Sequence, residues 1–383
     1  MIDVCEGLSY DEPVQILKNM GYHAMEMTET EQAFLCGLIK KYTPRKMVEV
    51  GVAAGGTTSV ILQCIKMLGI DTKMTSLDLN TDYYRDAQKR TGYLVEKYIK
   101  AEAVTGHTLL TGKYAVEHVE EIGGDIDFLI LDTVHSLPGE LLDFLAFFPF
   151  LKSGCVVVLH DISLCHCSNN LYAFATKVLL DTVVAEKVFP VMDDDSYPNI
   201  GAFLVTQDTG KYIADVFSAF SILWNYMPCE RALQLYSRFY QKYYSAECMS
   251  MFDRAVQLNR ATLKKRVVIW ENEFAVTCNH LTGLFGKNVY MYGCGHFGRQ
   301  LYTFFSNCGM KMKGYIISEG EEKPDLDEQI YYLSEISLDV EKDVVYVGVS
   351  KEKGQAEICR ELDRCHICKY VVLDTSIMHR YLI

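Results

Sequence analysis

The stretch Met47-Val-Glu-Val-Gly-Val-Ala-Ala-Gly-Gly-Thr-Thr58 carries an apolar run into closely spaced glycines, and a helical pattern begins at Ser59. That order predicts a strand, a glycine turn and a helix. Without Cβ atoms at Gly51, Gly55 and Gly56 the backbone can approach a ligand closely, and the free N–H groups of the following helix face it. Such a turn suits a bound nucleotide or nucleoside, and it also serves as a plain tight strand-to-helix corner. It is not a P-loop, because no lysine follows the glycines, and the spacing is not Gly-x-Gly-x-x-Gly.

Outward from this turn the chain alternates short apolar runs with amphipathic stretches. Before it, Thr28-x-x-Glu31 reads as a capping box opening a helix over 28–41. Strands are predicted near 47–51, 74–78, 102–105, 127–132, 154–160, 186–190 and 201–205. The alternation predicts an α/β fold, a doubly wound seven-stranded parallel sheet with helices on both faces. Ligands of such sheets sit at the carboxyl ends of the strands, so the residues just past each strand carry most weight. The second strand ends on Asp78, placed to accept both ribose hydroxyls of a nucleoside or simply to end an exposed strand. Thr105-Gly106-His107 is expected after the third strand, where an adenine edge would lie.

The fourth and fifth strands carry the strongest signal. Ile126-Asp-Phe-Leu-Ile-Leu-Asp132-Thr-Val-His135 brings a carboxylate and an imidazole to the crevice, and Cys155-Val-Val-Val-Leu-His160-Asp161 delivers a second carboxylate. Two carboxylates converging there repel unless a cation or a proton sits between them. Oxygen ligands of this kind suit Mg²⁺ or a similar hard ion. His160 reads equally as a metal ligand and as a buried, hydrogen-bonded histidine.

These residues resemble a known family. Glu49-x-Gly51-x-x-x-Gly55 resembles the first motif of class I S-adenosylmethionine-dependent methyltransferases. Asp132-x-x-His135, Leu151-Lys-Ser-Gly154 and His160-Asp161 resemble the metal-dependent O-methyltransferases of the macrocin and mycinamicin type and the cephalosporin hydroxylase-like group. Catechol O-methyltransferase is similar more distantly. The likeness covers roughly residues 28–207. It implies that Glu49, Gly51, Gly55, Gly56, Thr57, Asp78, Gly106 and His107 bind S-adenosylmethionine. It further implies that Asp132 and Asp161, with His160 as a candidate, hold Mg²⁺, and that His135, beside Asp132, acts as the base in methylation of a hydroxyl. Sugar-modifying members carry a second acidic ligand beside the later aspartate, where this chain has His160 and Ile162. The acceptor expected from the likeness is a sugar, a polysaccharide precursor or a related small molecule.

Three segments are expected: the methyltransferase domain over 1–207, a helical connector over 208–285 and a smaller Rossmann-like domain over 286–383. In the connector, Phe217, Phe220, Trp224 and Met227, then Tyr236, Tyr240, Tyr243 and Tyr244, recur at helical spacing. Their default is packing against a neighbouring domain, with an acceptor pocket or a homo-oligomer interface as alternatives. Strand-like alternation resumes at Arg266-Val-Val-Ile-Trp270. In the last segment a strand runs into Gly293-x-Gly295-x-x-Gly298 and then a helix, the context of a dinucleotide turn. That segment resembles the small Rossmann-like domains of sugar-modifying enzymes, and it reads equally as a nucleotide or nucleotide-sugar site and as an empty structural domain. The nearest acidic residue for a ribose is Glu319.

Composition narrows the class. The chain of 383 residues carries a net charge of −13, most of it in residues 1–207, so clustered cations for a phosphate backbone are lacking and nucleic acid is not expected as a partner. No apolar run reaches ~18 residues, and the first twenty residues lack a basic start with an apolar centre, which predicts a cytoplasmic protein without a membrane span. The 14 cysteines are scattered as reduced thiols. Two rivals stand beside the methyltransferase: a nucleotide-dependent oxidoreductase or sugar-nucleotide enzyme using the last segment, and a non-catalytic cofactor-binding protein.

Overall fold

The computed structural model describes residues 27–86, 88–99, 106–166, 173–192, 197–273, 284, 286–307 and 309–372. Two compact units result, one of residues up to 222 together with 234–252, the other of 223–233 together with 253 onward.

The first unit opens with α1 (Glu29–Tyr42). Thr28 accepts a hydrogen bond from the Glu31 backbone N–H, and the Glu31 carboxylate accepts one from the Thr28 N–H, a complete capping box. One face of α1 buries Phe34, Leu38 and Ile39 in a cluster with Val60 and Ile61 of α2 (Gly56–Leu68) and with Met47 and Phe128 of the sheet.

That sheet contains β1 (Lys46–Val50), β2 (Lys73–Asp78), β3 (His107–Thr111), β4 (Ile126–Leu131), β5 (Leu151–His160), β6 (Glu186–Val188) and β7 (Ile200–Leu204), in the order β3-β2-β1-β4-β5-β7-β6. The inner strands read as unbroken apolar runs because helices cover both faces, and Phe128 to Leu131 are fully buried. Seven strands are present as expected, but not all are parallel. β7 runs antiparallel to both β5 and β6. An apolar run carries no directional information, and among the described residues no helix stands between β6 and β7.

Strand order reverses between β1 and β4, so the crevice of the sheet opens at their carboxyl ends. Helices α3 (Tyr93–Tyr98), α4 (Gly139–Phe147) and α5 (Ala175–Thr182) complete the layers.

Of the aromatic stripe, Phe217, Phe220, Tyr236, Tyr240, Tyr243 and Tyr244 belong to this unit and Trp224 and Met227 to the other. Phe217, Tyr236 and Tyr240 are buried, and the rings of Phe217 and Tyr244 meet edge to face at 4.8 Å. Tyr236 donates to Asp143 Oδ1 at 2.6 Å and Tyr240 to the Leu142 carbonyl at 2.8 Å, both on α4. Two further helices carry this region, α6 (Glu230–Tyr243) and α7 (Ala246–Glu273). Residues 266–270 continue α7 instead of forming a strand. No glycine or proline interrupts 246–273, so nothing stops the helix.

The second unit holds a five-stranded parallel sheet of β8 (Asn288–Tyr292), β9 (Lys311–Ile317), β10 (Ile330–Tyr332), β11 (Asp343–Val347) and β12 (Tyr370–Val372), ordered β10-β9-β8-β11-β12. Its helices include α8 (His296–Asn307) and α9 (Glu352–Arg364). Among the described residues no helix is long and apolar enough to cross a membrane.

Candidate active site

The glycine turn lies at the carboxyl end of β1, but the backbone passing closest to it is the protein's own. Gly51 has φ of +96°, and a Cβ there would sit 1.7 Å from the Asp132 carbonyl oxygen. Gly55, at φ of +87°, would place a Cβ 2.9 Å from the Cα of Gly92. The 91–95 segment is fastened to the turn by Gly92 N–H to the Ala53 carbonyl at 2.9 Å and Leu94 N–H to the Ala54 carbonyl at 3.0 Å. The chain's own packing thus requires glycine at both positions, whatever the turn binds. Gly56 and Thr57 open α2, which has no side-chain N-cap, so its first-turn N–H groups suit an anionic group.

Asp78 sits at the end of β2 as expected and braces the turn. Its Oδ2 accepts from the N–H groups of Val52 and Ala53 at 3.0 and 2.9 Å, and Oδ1 accepts from Asn80 N–H at 2.8 Å. Oδ1, with a single partner, retains a further acceptor site.

Glu49 is fully buried and clamps β1 to its neighbours. One of its oxygens accepts from the hydroxyls of Thr58 at 2.8 Å and Ser76 at 2.6 Å. Burial pushes its carboxyl up to about 7. With no surface exposed, Glu49 supports the turn from behind and offers a ligand nothing.

Gly106 and His107 are not at the crevice. β3 begins at His107 and runs parallel to β2, so both residues occupy its amino end, and His107 Nε2 pairs with Ser76 Oγ at 2.9 Å. The strand expected over 102–105 falls outside the described residues. Gly112 follows the carboxyl end of β3, with its N–H on the Asp78 carbonyl at 3.1 Å. The apolar pair Leu109-Leu110 before it was the available signal.

Asp132, His135 and Asp161 do converge past the ends of β4 and β5. One ligand atom from each lies within 4.8 Å of the others. His135 Nε2 is 3.2 Å from Asp161 Oδ2 and 3.8 Å from Asp132 Oδ1. His135 and Asp161 both adopt left-handed backbone, at φ of 56° and 58°, a strain that surrounding structure must sustain.

Three residues that sequence reading left out hold this arrangement. The buried Glu140, at the start of α4, accepts from the His135 N–H at 2.5 Å and from Thr133 Oγ1 at 3.1 Å, and lies 3.6 Å from His135 Nδ1. Burial raises its pKa. Asn199, just before β7, donates to Asp161 Oδ1 at 2.7 Å while its own oxygen accepts from the Ser163 hydroxyl at 2.8 Å. Glu31 of α1 reaches His160 Nε2 at 3.5 Å.

His160 stands behind the carboxylates. It is 1% exposed, and its Nδ1 faces Asp132 Oδ1 at 3.1 Å and Asp161 Oδ2 at 3.5 Å. With its Nδ1 edge on the aspartates and its Nε2 edge toward Glu31, it is placed to support Asp132, and of its two readings the buried histidine is the one this placement favours. Burial alone would disfavour its charge, yet Asp132, Glu31 and Asp161 outweigh that and raise its pKa well above the ordinary histidine value. Asp132 responds in kind: burial would raise its pKa, but His160 and His135 bring it below the usual value.

The trio fits a divalent cation. Two carboxylates and an imidazole form a mixed oxygen and nitrogen donor set, and the three side chains are 11 to 19% exposed, open enough for a partly hydrated ion. A nitrogen donor broadens the choice from Mg²⁺ toward Mn²⁺ or Fe²⁺.

In the second unit, Gly293 at φ of +103° ends β8, where a Cβ would meet Val349, and a Cβ on Gly298 would lie 2.0 Å from the Gly293 carbonyl oxygen. Only at Gly295 of these three does the added Cβ find nothing within 4 Å. Glu319 accepts from Ser334 N–H at 3.2 Å.

Comparison with known proteins agrees with this geometry for the first unit. Residues 48–162 match the family model described as a methyltransferase domain, a span that runs from β1 past Asp161. This part of the chain is a methyltransferase domain. Similar solved structures include the O-methyltransferase TomG from Streptomyces achromogenes, involved in tomaymycin synthesis and solved with S-adenosylmethionine. It is 14% identical, the match covers 52% of this chain and 91% of that one, and the TM-score is 0.38. An O-methyltransferase from Bacillus cereus, solved with S-adenosylhomocysteine, is 17% identical over 51% of this chain and 90% of its own, with a TM-score of 0.36. No curated protein sequence matches.

Proposed function

We propose that the first unit transfers a methyl group from S-adenosylmethionine to a hydroxyl of a small molecule, with a sugar or polysaccharide precursor as the acceptor class, assisted by a divalent cation. The convergence of Asp132, His135 and Asp161 next to the β1 turn carries this reading, because Gly51 and Asp132 are in backbone contact and the two halves of the site cannot separate. The saccharide class comes from the family resemblance.

Within this reading the two aspartates hold the cation. Bound there, a divalent ion lowers the pKa of a nearby hydroxyl and fixes its oxygen. His135 Nε2 takes the hydroxyl proton. Glu140 fixes the His135 backbone and lies 3.6 Å from its Nδ1, so the Nε2 edge is the one turned to the aspartates. Asn199 fixes the face of Asp161 turned from His135. A bound S-adenosylmethionine supplies the electrophilic methyl; the chain's part is alignment, worth several kcal/mol of barrier.

A second reading is favoured by the 3.2 Å approach of His135 Nε2 to Asp161: His135 is then the third cation donor and an ionised hydroxyl needs no separate base. Transfer of labelled methyl from S-adenosylmethionine to a panel of sugars and nucleotide sugars, with Mg²⁺ or Mn²⁺ and with chelator, tests the proposal. Cation-dependent labelling supports it, and labelling of equal extent in chelator removes the cation.

A further inference from the structure

Glu31 lies outside the residues that match the methyltransferase model, on the first turn of a helix preceding the sheet. It is nonetheless only 5% exposed, and a carboxylate rarely accepts that burial without a partner. One of its oxygens serves the capping box with Thr28, which any Glu or Gln at this position can do. The other, Oε1, faces His160 Nε2 at 3.5 Å, and on the far side of the same ring Nδ1 meets Asp132 Oδ1 at 3.1 Å. His160 is 1% exposed, its place at the end of β5 is fixed by pairing with Ile200, and so a rigid ring links the start of α1 to Asp132.

We infer that Glu31 and His160 form a buried positioning relay that sets the Asp132 carboxylate for the cation, with neither residue itself a ligand. The inference rests on the cation reading of the site. Glu31 Oε1 beside one ring nitrogen and Asp132 Oδ1 beside the other hold the imidazole between two buried carboxylates, so its Nδ1 edge stays aimed at Asp132. That contact limits rotation of the Asp132 side chain and so fixes how its carboxylate faces His135 and Asp161. Without the relay the Asp132 side chain can rotate, and the desolvated carboxylate pairs less well with the ion.

The helix cap and the relay separate experimentally. Glu31→Gln keeps the cap oxygen and replaces the carboxylate facing His160 with a neutral group. His160→Asn keeps an N–H close to the place of Nδ1 and removes the reach to Glu31. Mn²⁺ titration by calorimetry on the full chain, with thermal melting alongside, reads both variants without any turnover. The relay predicts Mn²⁺ affinity about tenfold weaker in Glu31→Gln, within the usual range for groups behind a ligand, at a melting temperature near that of the parent. It predicts no further loss when Glu31→Gln is added to His160→Asn, because the link is already cut. Unchanged Mn²⁺ affinity in Glu31→Gln, or fully additive losses in the double variant, would overturn the relay while leaving the cation site standing. No Mn²⁺ binding by the parent chain would overturn the cation reading and the relay with it.

Discussion

A β-carbon on Gly51 would lie 1.7 Å from the carbonyl oxygen of Asp132, so the turn after β1 and the first acidic residue of the site are one contact. Gly51→Ala forces these backbones apart and must also hold alanine at φ of +96°. The expected cost is at least about 3 kcal/mol, well above an ordinary surface change. Gly69→Ala is the control: φ is +63° with nothing within 4 Å, and the expected cost is about 1 kcal/mol. Denaturant unfolding of both variants checks the difference.

Glu49 makes stability depend on pH. Native protein keeps the proton on this buried carboxyl up to about 7, whereas the unfolded chain releases it near 4.5. Stability from this group is full below about 4.5 and is lost as pH rises toward 7, by roughly 3 kcal/mol in all. Glu49→Gln retains an oxygen for Thr58 and Ser76 and carries no charge to bury. Its melting temperature relative to the parent should therefore rise between pH 5 and pH 8. A constant difference across that interval would show that Glu49 is ionised in the native state.

His135→Ala distinguishes the two roles open to the imidazole. As the base, its loss lowers turnover by about 10²- to 10⁴-fold and leaves Mn²⁺ affinity nearly unchanged. As a ligand, its loss weakens Mn²⁺ binding in parallel with activity. S-adenosylhomocysteine binding should persist in either case.

Much of this site was legible because parallel sheets present their chemistry at strand ends. Asp78, Asp132, His135 and Asp161 each follow an apolar run, and all four sit where that rule puts them. Gly106 and His107 went astray because the third strand starts at His107, and a shift of one strand's start exchanges the crevice edge for the opposite edge. The antiparallel β7 was hidden because an apolar run of five residues looks the same in either direction. Glu31, Glu140 and Asn199 follow no strand end of the kind that rule weighs. They come from two helix starts and the loop before β7, and Glu31 is 129 positions from His160, so only the folded chain brings them in.

Asn199 offers a test of such support. Asn199→Ala frees Asp161 Oδ1 from its 2.7 Å partner, and the Ser163 hydroxyl loses its acceptor as well. Mn²⁺ affinity should fall by about tenfold, as for other groups that orient a ligand from behind. An unchanged titration would mean that the backbone alone fixes Asp161.

The most direct measurement is a crystal structure grown with S-adenosylhomocysteine and Mn²⁺, with anomalous data locating the metal. The predicted result is one strong peak bonded to carboxylate oxygens of both Asp132 and Asp161, with the nucleoside at the carboxyl ends of β1 and β2. Bound S-adenosylhomocysteine with no anomalous peak between those aspartates at saturating Mn²⁺ would contradict the cation-assisted mechanism.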